Sequence, residues 1–323
     1  MRSIEKLTAA MFPDVYSSLL HPFDPQMPEA TWQRAFVLNR WHDEDHFGYV
    51  LRDEGKFVGM LGALFSRRQV DGREVRFCNL HNWYVRPEFR AQSLLLMRPI
   101  LALKDHVVTD LSASSEVVAI SARLGFTKLD RTIRMLPRLP WRSSASDVLH
   151  LDTEAAAAEK LTSAELQLFR DHQGIDCQHL FVASDEGDCY IIASRIKSRW
   201  LPHVFVHHLN NPQVFARQSL QIRHHLLQSG GRYVAVNVPH LAGQKVPYSL
   251  LADANQRLVR GIHCPPSAID SLYSEMPLFK LPIYPRPPLF VRGTALRMWR
   301  WKNSCAEWLK SWHSASENGL RSC

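Results

Sequence analysis

Between Phe47 and Val85 the chain carries three apolar runs, Phe47–Arg52, Lys56–Phe65 and Glu74–Val85, separated by the turn signals Asp53-Glu54-Gly55 and Asp71-Gly72. Such short acidic-glycine breaks are hairpin turns, so this stretch is restricted to an antiparallel meander. After Pro87 the pattern changes. FRAQSLLLMRPILALKDH has helical spacing, His106–Ala113 has a β-like apolar centre, and Glu116–Leu124 is helical until Gly125 stops it. The predicted order is strand, strand, strand, helix, strand, helix, strand: an α+β unit with a mixed, mostly antiparallel central sheet flanked by helices. Ahead of it, residues 1–45 read as short helices broken by Pro13, Pro22, Pro25 and Pro28.

The same order recurs downstream. A slide of 132 positions lays 181–200 over 49–68 and matches Asp185-Glu186-Gly187 to Asp53-Glu54-Gly55. A slide of 125 lays 207–220 over 82–95, with Pro212 on Pro87 and Ala216 on Ala91, and carries Tyr233–Asn237 onto Val108–Ser112. The seven-residue difference falls around the Gln69–Val75 turn, where length changes are tolerated. The expected organisation is a first domain over 1–140, a linker over 141–160 that begins in the Ser143–Ser146 run, a second domain over 161–282, and a Pro-rich segment with a terminal helix over 283–323. In that tail Met298, Trp301, Cys305, Trp308, Leu309 and Trp312 recur at helical spacing, predicting an amphipathic helix within 294–315.

A length of 323 residues suits two domains, and 46% hydrophobic with 22% charged residues is the balance of a chain that buries a core. No stretch approaches the roughly 20 apolar residues of a membrane span, and the N-terminus has no signal-peptide core, so the expected location is the cytoplasm. The six cysteines include no Cys-x-x-Cys pair, which fits a reducing compartment and argues against a zinc ribbon. Histidines are many, but His207-His208 and His224-His225 are adjacent pairs that a strand would send to opposite faces, so no metal is expected. The net charge is +8, and residues from Arg286 onward carry +5 of it. That bias suits an anionic surface near the C-terminus, such as peripheral contact of 294–315 with the inner membrane face, better than a groove for double-stranded nucleic acid.

Two segments carry a family resemblance. WYVRPEFRAQSLLLMRPIL (83–101) and ISARLGFTKLD (120–130) resemble the GNAT superfamily of acyl-CoA-dependent N-acyltransferases, the second block being a degenerate copy. In that family a strand ends in a Val-x-Pro-like sequence, and the amides of the following helix start hold the pyrophosphate of coenzyme A, as a helix N-terminus favours. The resemblance implies an acyl-CoA co-substrate, acetyl-CoA or longer, bound by Tyr84, Val85, Arg90, Ala91, Gln92, Ser93, Leu94 and Leu95. Ser93 and Leu95 stand where the family places small residues. Ala122-Arg123-Leu124-Gly125-Phe126 resembles the family's helix-closing Leu-Gly-Phe. Ser121 stands four residues before that glycine, where many members have a Tyr acid, and a hydroxyl of such high pKa is a poor proton donor. His81, on the strand entering the loop, has the pKa range of a general base, and Glu116 and Asp110 are the acidic alternatives.

The resemblance therefore implies an acyltransferase (EC 2.3.1 type) whose first copy moves an acyl group from acyl-CoA, or from an acyl-carrier protein, to the amine of a small molecule or amino sugar by direct attack. Two other readings stay open: a non-catalytic GNAT-like ligand- or partner-binding protein, and a transferase that takes its group from aminoacyl-tRNA, for which the basic charge is suited. In the second copy Phe215 takes the place of Arg90, and the expected role is a scaffold or the acceptor side of a cleft.

Overall fold

The computed structural model describes residues 2–140, 148–198, 201–261, 264–283 and 285–286. The predicted helix over 294–315, and most of the Pro-rich segment before it, lie outside the described residues. Among the described residues no helix is long and apolar enough to cross a membrane.

The chain opens with a strand, β1 (Arg2–Lys6), where the sequence reads as helix. Long-range pairing decides the matter: Arg2–Lys6 lies antiparallel on Asp53–Tyr49, and Arg2, Glu5 and Lys6 are held by Asp53, Arg52 and Asp45. Charges along an outermost strand also discourage pairing with another molecule. Short helices follow, α1 (Phe12–Val15), α2 (His21–Phe23) and α3 (Glu29–Phe36). The meander comes next as β2 (Gly48–Asp53), β3 (Lys56–Val70) and β4 (Arg73–Val85). Both of its turns are two-residue loops, with positive φ at Glu54, Gly55, Asp71 and Gly72. These are the mirror-image turns whose twist matches that of the strands.

Pro87–Leu96 is a 3-10 segment and only Met97–Leu101 is α-helical (α4), whereas the spacing predicts one helix. Pro99 explains the break. In the middle of a long helix it would remove a hydrogen bond and clash with the carbonyl of Leu95, but near a helix start it costs little. Then β5 (His106–Ala113) and α5 (Ser115–Arg123) follow, and the latter is stopped by Gly125 at φ +83° with Phe126 buried in the core behind it.

The remaining strands are β6 (Thr127–Lys128), β7 (Thr132–Pro137), β8 (Val148–His150), β9 (Cys177–Val182), β10 (Cys189–Ile196), β11 (His203–Leu209), β12 (Tyr233–Asn237), β13 (Leu250–Asp253) and β14 (Gln256–Gly261). The helices among them are α6 (Glu154–Lys160), α7 (Ser163–His172), α8 (Pro212–Arg217), α9 (Ser219–Leu226) and α10 (Glu275–Phe279).

Two mixed, mostly antiparallel seven-stranded sheets result, ordered β1-β2-β3-β4-β5-β14-β6 and β8-β9-β10-β11-β12-β7-β13. The orders correspond strand for strand, and each sheet has one parallel pair at the same place, β4–β5 and β11–β12. Each sheet also takes one strand from the other half. β14, late in the chain, lies between β5 and β6, while β7, early in the chain, lies between β12 and β13. The sequence units 1–140 and 161–282 are thus interlocked by backbone hydrogen bonds.

The outer face of the first sheet is covered by α4 and α5, and that of the second by α8 and α9. The inner faces meet in a shared core that includes Phe77, Val107, Leu111, Ile133, Phe205 and Tyr233, extended by α3 and α7. The chain ends its described course along this seam.

Candidate active site

In the first sheet the β4–β5 ladder joins Arg76–Asn79 to His106–Thr109 and stops there, although both strands continue. The facing edges of Leu80–Val85 and Asp110–Ala113 are left without a ladder partner. The separation has a local cause on β4. Met60 pairs with Tyr84 and Gly62 with His81, so Asn82 and Trp83 oppose a single residue of β3. This is a β-bulge, with Asn82 at φ +48°. Bulges re-aim side chains and end pairing, and are frequent beside active sites.

His81 sits at the bulge. Its ring lies over Gly62, where a Cβ would come within 2.4 Å of the imidazole, and packs between Phe36 of α3 and Phe279 of α10, at 5.1 and 5.7 Å between ring centroids. Nδ1 is 2.5 Å from Oδ1 of Asn82. That oxygen only accepts, so Nδ1 carries the proton and Nε2 holds a lone pair, buried and unpartnered. Burial pushes the pKa down to about 4, so the ring is neutral at pH 7.

Four polar side chains cluster where the ladder stops. Asn79 donates to Thr109 Oγ1 at 3.1 Å and accepts from the backbone N–H of Glu275 at 3.2 Å. Ser112 donates to Glu275 Oε1 at 2.7 Å. Glu275 Oε2 is buried and unpartnered. Burial raises the Glu275 carboxyl to about 8, with a further push from Asp110, and burial raises Asp110 to about 7. Two neighbouring carboxyls thus hold protons near neutral pH.

The other sequence-predicted residues lie elsewhere. Glu116 is exposed in the first turn of α5, its carboxyl held below the usual range by its own backbone N–H and by Ser114 and Ser115. Ser121 is buried at the far end of α5, where its carbonyl accepts from Leu124 and Phe126. Tyr84 and Val85 run along the splayed edge. Arg90 is exposed and no described carboxylate pairs with it, whereas Ala91, Gln92, Ser93, Leu94 and Leu95 belong to the 3-10 segment. The amide of Phe89 is already bonded to the carbonyl of Arg86. The site therefore offers a cation and the opening of a 3-10 turn to an anion, and a fuller set of polar groups at its inner end.

Sequence reasoning missed Glu275, 163 residues from Ser112 in the chain. The only local sign is an acidic residue inside the apolar run SLYSEMPLF.

The second sheet has a matching separation, since β11–β12 pairing ends at Val206 and Val236 and a register shift falls at His207. Its polar groups are differently placed. The sequence predicts one of His207 and His208 inward and the other outward; both turn toward protein partners. His207 is buried against Ser271 at 3.2 Å. His208 reaches Asp270 at 3.1 Å, and Asp270 also pairs with Arg68 of β3 at 2.8 Å. Burial works to raise the Asp270 carboxyl, but Arg68 and His208 outweigh it and hold the group well below its ordinary range. In the loop that follows, Asn211 caps α8 by accepting from Val214, and Phe215 is fully buried.

Among the described residues the one group with metal-like geometry is Glu44, Asp45 and His46. Its carboxylates are ion-paired, Glu44 to Arg76 and Asp45 to Lys6.

Residues 9–94 match the model of the acetyltransferase (GNAT) family, taking in the N-terminal helices, the meander and the loop as far as Leu94. No curated protein matches the sequence. Among solved structures the fold is similar to a GCN5-related N-acetyltransferase from Anabaena variabilis ATCC 29413, with TM-score 0.54 and 12% identity over 80% of this chain and 72% of that one. It is also similar to a conserved protein of Enterococcus faecalis V583 described as a probable N-acyltransferase, with TM-score 0.55 and 11% identity over 83% and 74%. A GCN5-related N-acetyltransferase from Kribbella flavida gives 0.52 and 15% over 82% and 72%. At these identities the likeness is one of fold.

Proposed function

From the match of residues 9–94 to the acetyltransferase (GNAT) family and the likeness of the fold to GCN5-related N-acetyltransferases, we propose that the first half is an N-acyltransferase that moves an acyl group from acyl-CoA to the amine of a small molecule or amino sugar. The observation that carries this reading is the opening between β4 and β5, flanked by a bulge and lined at its inner end by buried, incompletely partnered polar groups.

The physical argument starts from the unpaired strand edges. Buried backbone N–H and C=O groups need partners, and an extended molecule that carries amides of its own can supply them as an added strand would. The pantetheine arm of coenzyme A is such a molecule. Laid between the strands, it would bring its thioester to the bulge, where the amide of Val85, which alternates away from β3, would polarise the carbonyl. Arg90 would serve the phosphates at the outer end. The acceptor amine would approach from the α3 and α10 side, attack the thioester directly and displace the thiol.

Thermal-shift titration with acetyl-CoA and longer acyl-CoAs tests the reading. Specific binding stabilises the folded state by about 2.7 kcal/mol at a hundredfold excess over Kd. No shift with any of them removes it. The spent amide of Phe89 and the bulky Leu94 and Leu95 favour a second reading, a binding protein without turnover. A shift with acetyl-CoA but no thiol release across a panel of primary amines would select that one.

A further inference from the structure

We infer that Glu275, brought into the first half's opening by the segment that ends the second half, takes the proton from the acceptor ammonium and shares it with Asp110. The inference rests on the acyl-transfer reading and adds the group that reading leaves unnamed.

Three observations converge on Glu275. It is held in place by partners on two strands: its amide is fixed by Asn79 of β4 and its Oε1 by Ser112 of β5, the strands that separate to form the opening. Its Oε2 is fully buried and has no partner, an arrangement that costs stability unless something else requires it. Among the described residues no cation pairs with it. Of the groups facing α10, Asp110 on β5 is a like charge, His81 on β4 is neutral, and α3 contributes Trp32, Ala35 and Phe36. Arg257 of β14 is near enough to feel the carboxylate, but its guanidinium is spent on the carbonyls of Asp130 and Ile269. Lys280, just beyond α10, is turned to Asp176.

A buried Glu275 and a part-buried Asp110, with no ion pair among the described residues, keep one proton between them over a range around neutral pH. The ionised partner is then a base matched to the working pH. The proton passes from the ammonium to a carboxylate oxygen, and the neutral amine forms the C–N bond to the thioester carbon. The tetrahedral intermediate breaks its C–S bond, the thiolate leaves with one of the two remaining amine protons while the other stays on the amide, and the carboxyl returns its own proton to solvent. Amide bond formation of this kind needs no oxidant or further reactant.

The test uses the full chain and two readouts. Infrared titration follows the protonated-carboxyl band, which in the wild type should persist at neutral pH and disappear as the pair ionises at apparent values near 7 and 8. Glu275→Gln should lose one of the two carboxyl bands, the one that titrates at higher pH. A wild-type spectrum without carboxylic acid above pH 6 overturns the inference. The second readout is thiol release from acetyl-CoA with glucosamine, lysine, spermidine and phenylethylamine. Glu275→Gln should lower kcat by about a hundredfold or more and abolish the acidic limb of the pH profile. Its acetyl-CoA thermal shift should equal the wild type's. A variant that keeps activity to within about threefold at every pH, with binding intact, overturns the role of Glu275 and leaves acyl transfer standing. A wild type that neither binds acetyl-CoA nor releases thiol overturns both.

Discussion

The two sheets have the same strand order and separate at corresponding parallel pairs, yet the two openings are furnished in opposite ways. In the second, Asp270 is gripped by Arg68 and His208, Ser271 occupies His207, and a buried Phe215 and the Asn211 cap close the loop that follows. In the first, Asp110 adds a like charge near Glu275, His81 keeps a free lone pair, and among the described residues neither acid has an ion pair and no carboxylate pairs with Arg90. The second opening has its carboxylate ion-paired and works as structure, although Nε2 of His207 is buried without a partner there too. The other keeps unsatisfied groups that ordinary folding would have paired, the expected cost of a site that must bind something else. A single segment serves both, with Asp270 and Ser271 in the second and Glu275, only four residues on, in the first.

The strongest way to break this contrast is to remove the satisfied ion pair. Asp270→Ala leaves Arg68 buried without its partner and should cost about 3–5 kcal/mol in urea unfolding. A loss under about 1 kcal/mol, the size of an exposed pair, would show that the second opening is not held by this contact.

Stability against pH is the next test, and its two limbs belong to different groups. Burial lowers His81 and His240 to about 4 and His207 to about 3. Their folded values lie below the ordinary 6.5, so their contribution is present above pH 6.5 and lost as pH falls toward the folded values, because the unfolded chain binds protons that the folded one refuses. Asp110 and Glu275 have the reverse sign. Their folded values are raised, so their contribution is present below the ordinary 3.8 and 4.5 and lost as pH rises through about 7 and about 8. Thermal midpoints should therefore fall on both sides of a maximum near pH 6.5. Glu275→Gln should flatten the alkaline side and steepen the acid side, because the term it removes runs from the ordinary 4.5 to about 8. An unaltered alkaline limb in that variant would place its cause outside the first opening.

The smallest effect is expected at the outer end. Arg90→Ala should weaken acetyl-CoA by about 1 kcal/mol, roughly fivefold in Kd, with kcat unchanged, because an exposed guanidinium adds little beyond one charge-assisted contact. An unchanged Kd would move the phosphate grip to another cation.

Much of the first half was legible from local signals. Asp53-Glu54-Gly55 and Asp71-Gly72 announce turns because few residues tolerate positive φ, and Gly125 with Phe126 marks a helix end and a return to the core. The loop after β4 was only half legible. Its apolar spacing reads as helix, but Pro99 forces a 3-10 stretch ahead of α4.

The rest was decided at long range. Nothing local in Arg2–Lys6 distinguishes a strand from a helix until β2 is beside it, and nothing in Gln256–Gly261 says that it pairs with β5 from the other half. Glu275 reads as one polar residue in an apolar stretch, and only the fold sets it between Asn79 and Ser112. The sequence by itself determined the meander and the helix–strand–helix that follows it, because turns, caps and periodicity act over a few residues. The tertiary structure alone decided the exchanged strands and the paired carboxyls. Both depend on contacts between segments more than a hundred residues apart, whose pairing leaves no mark on either segment alone.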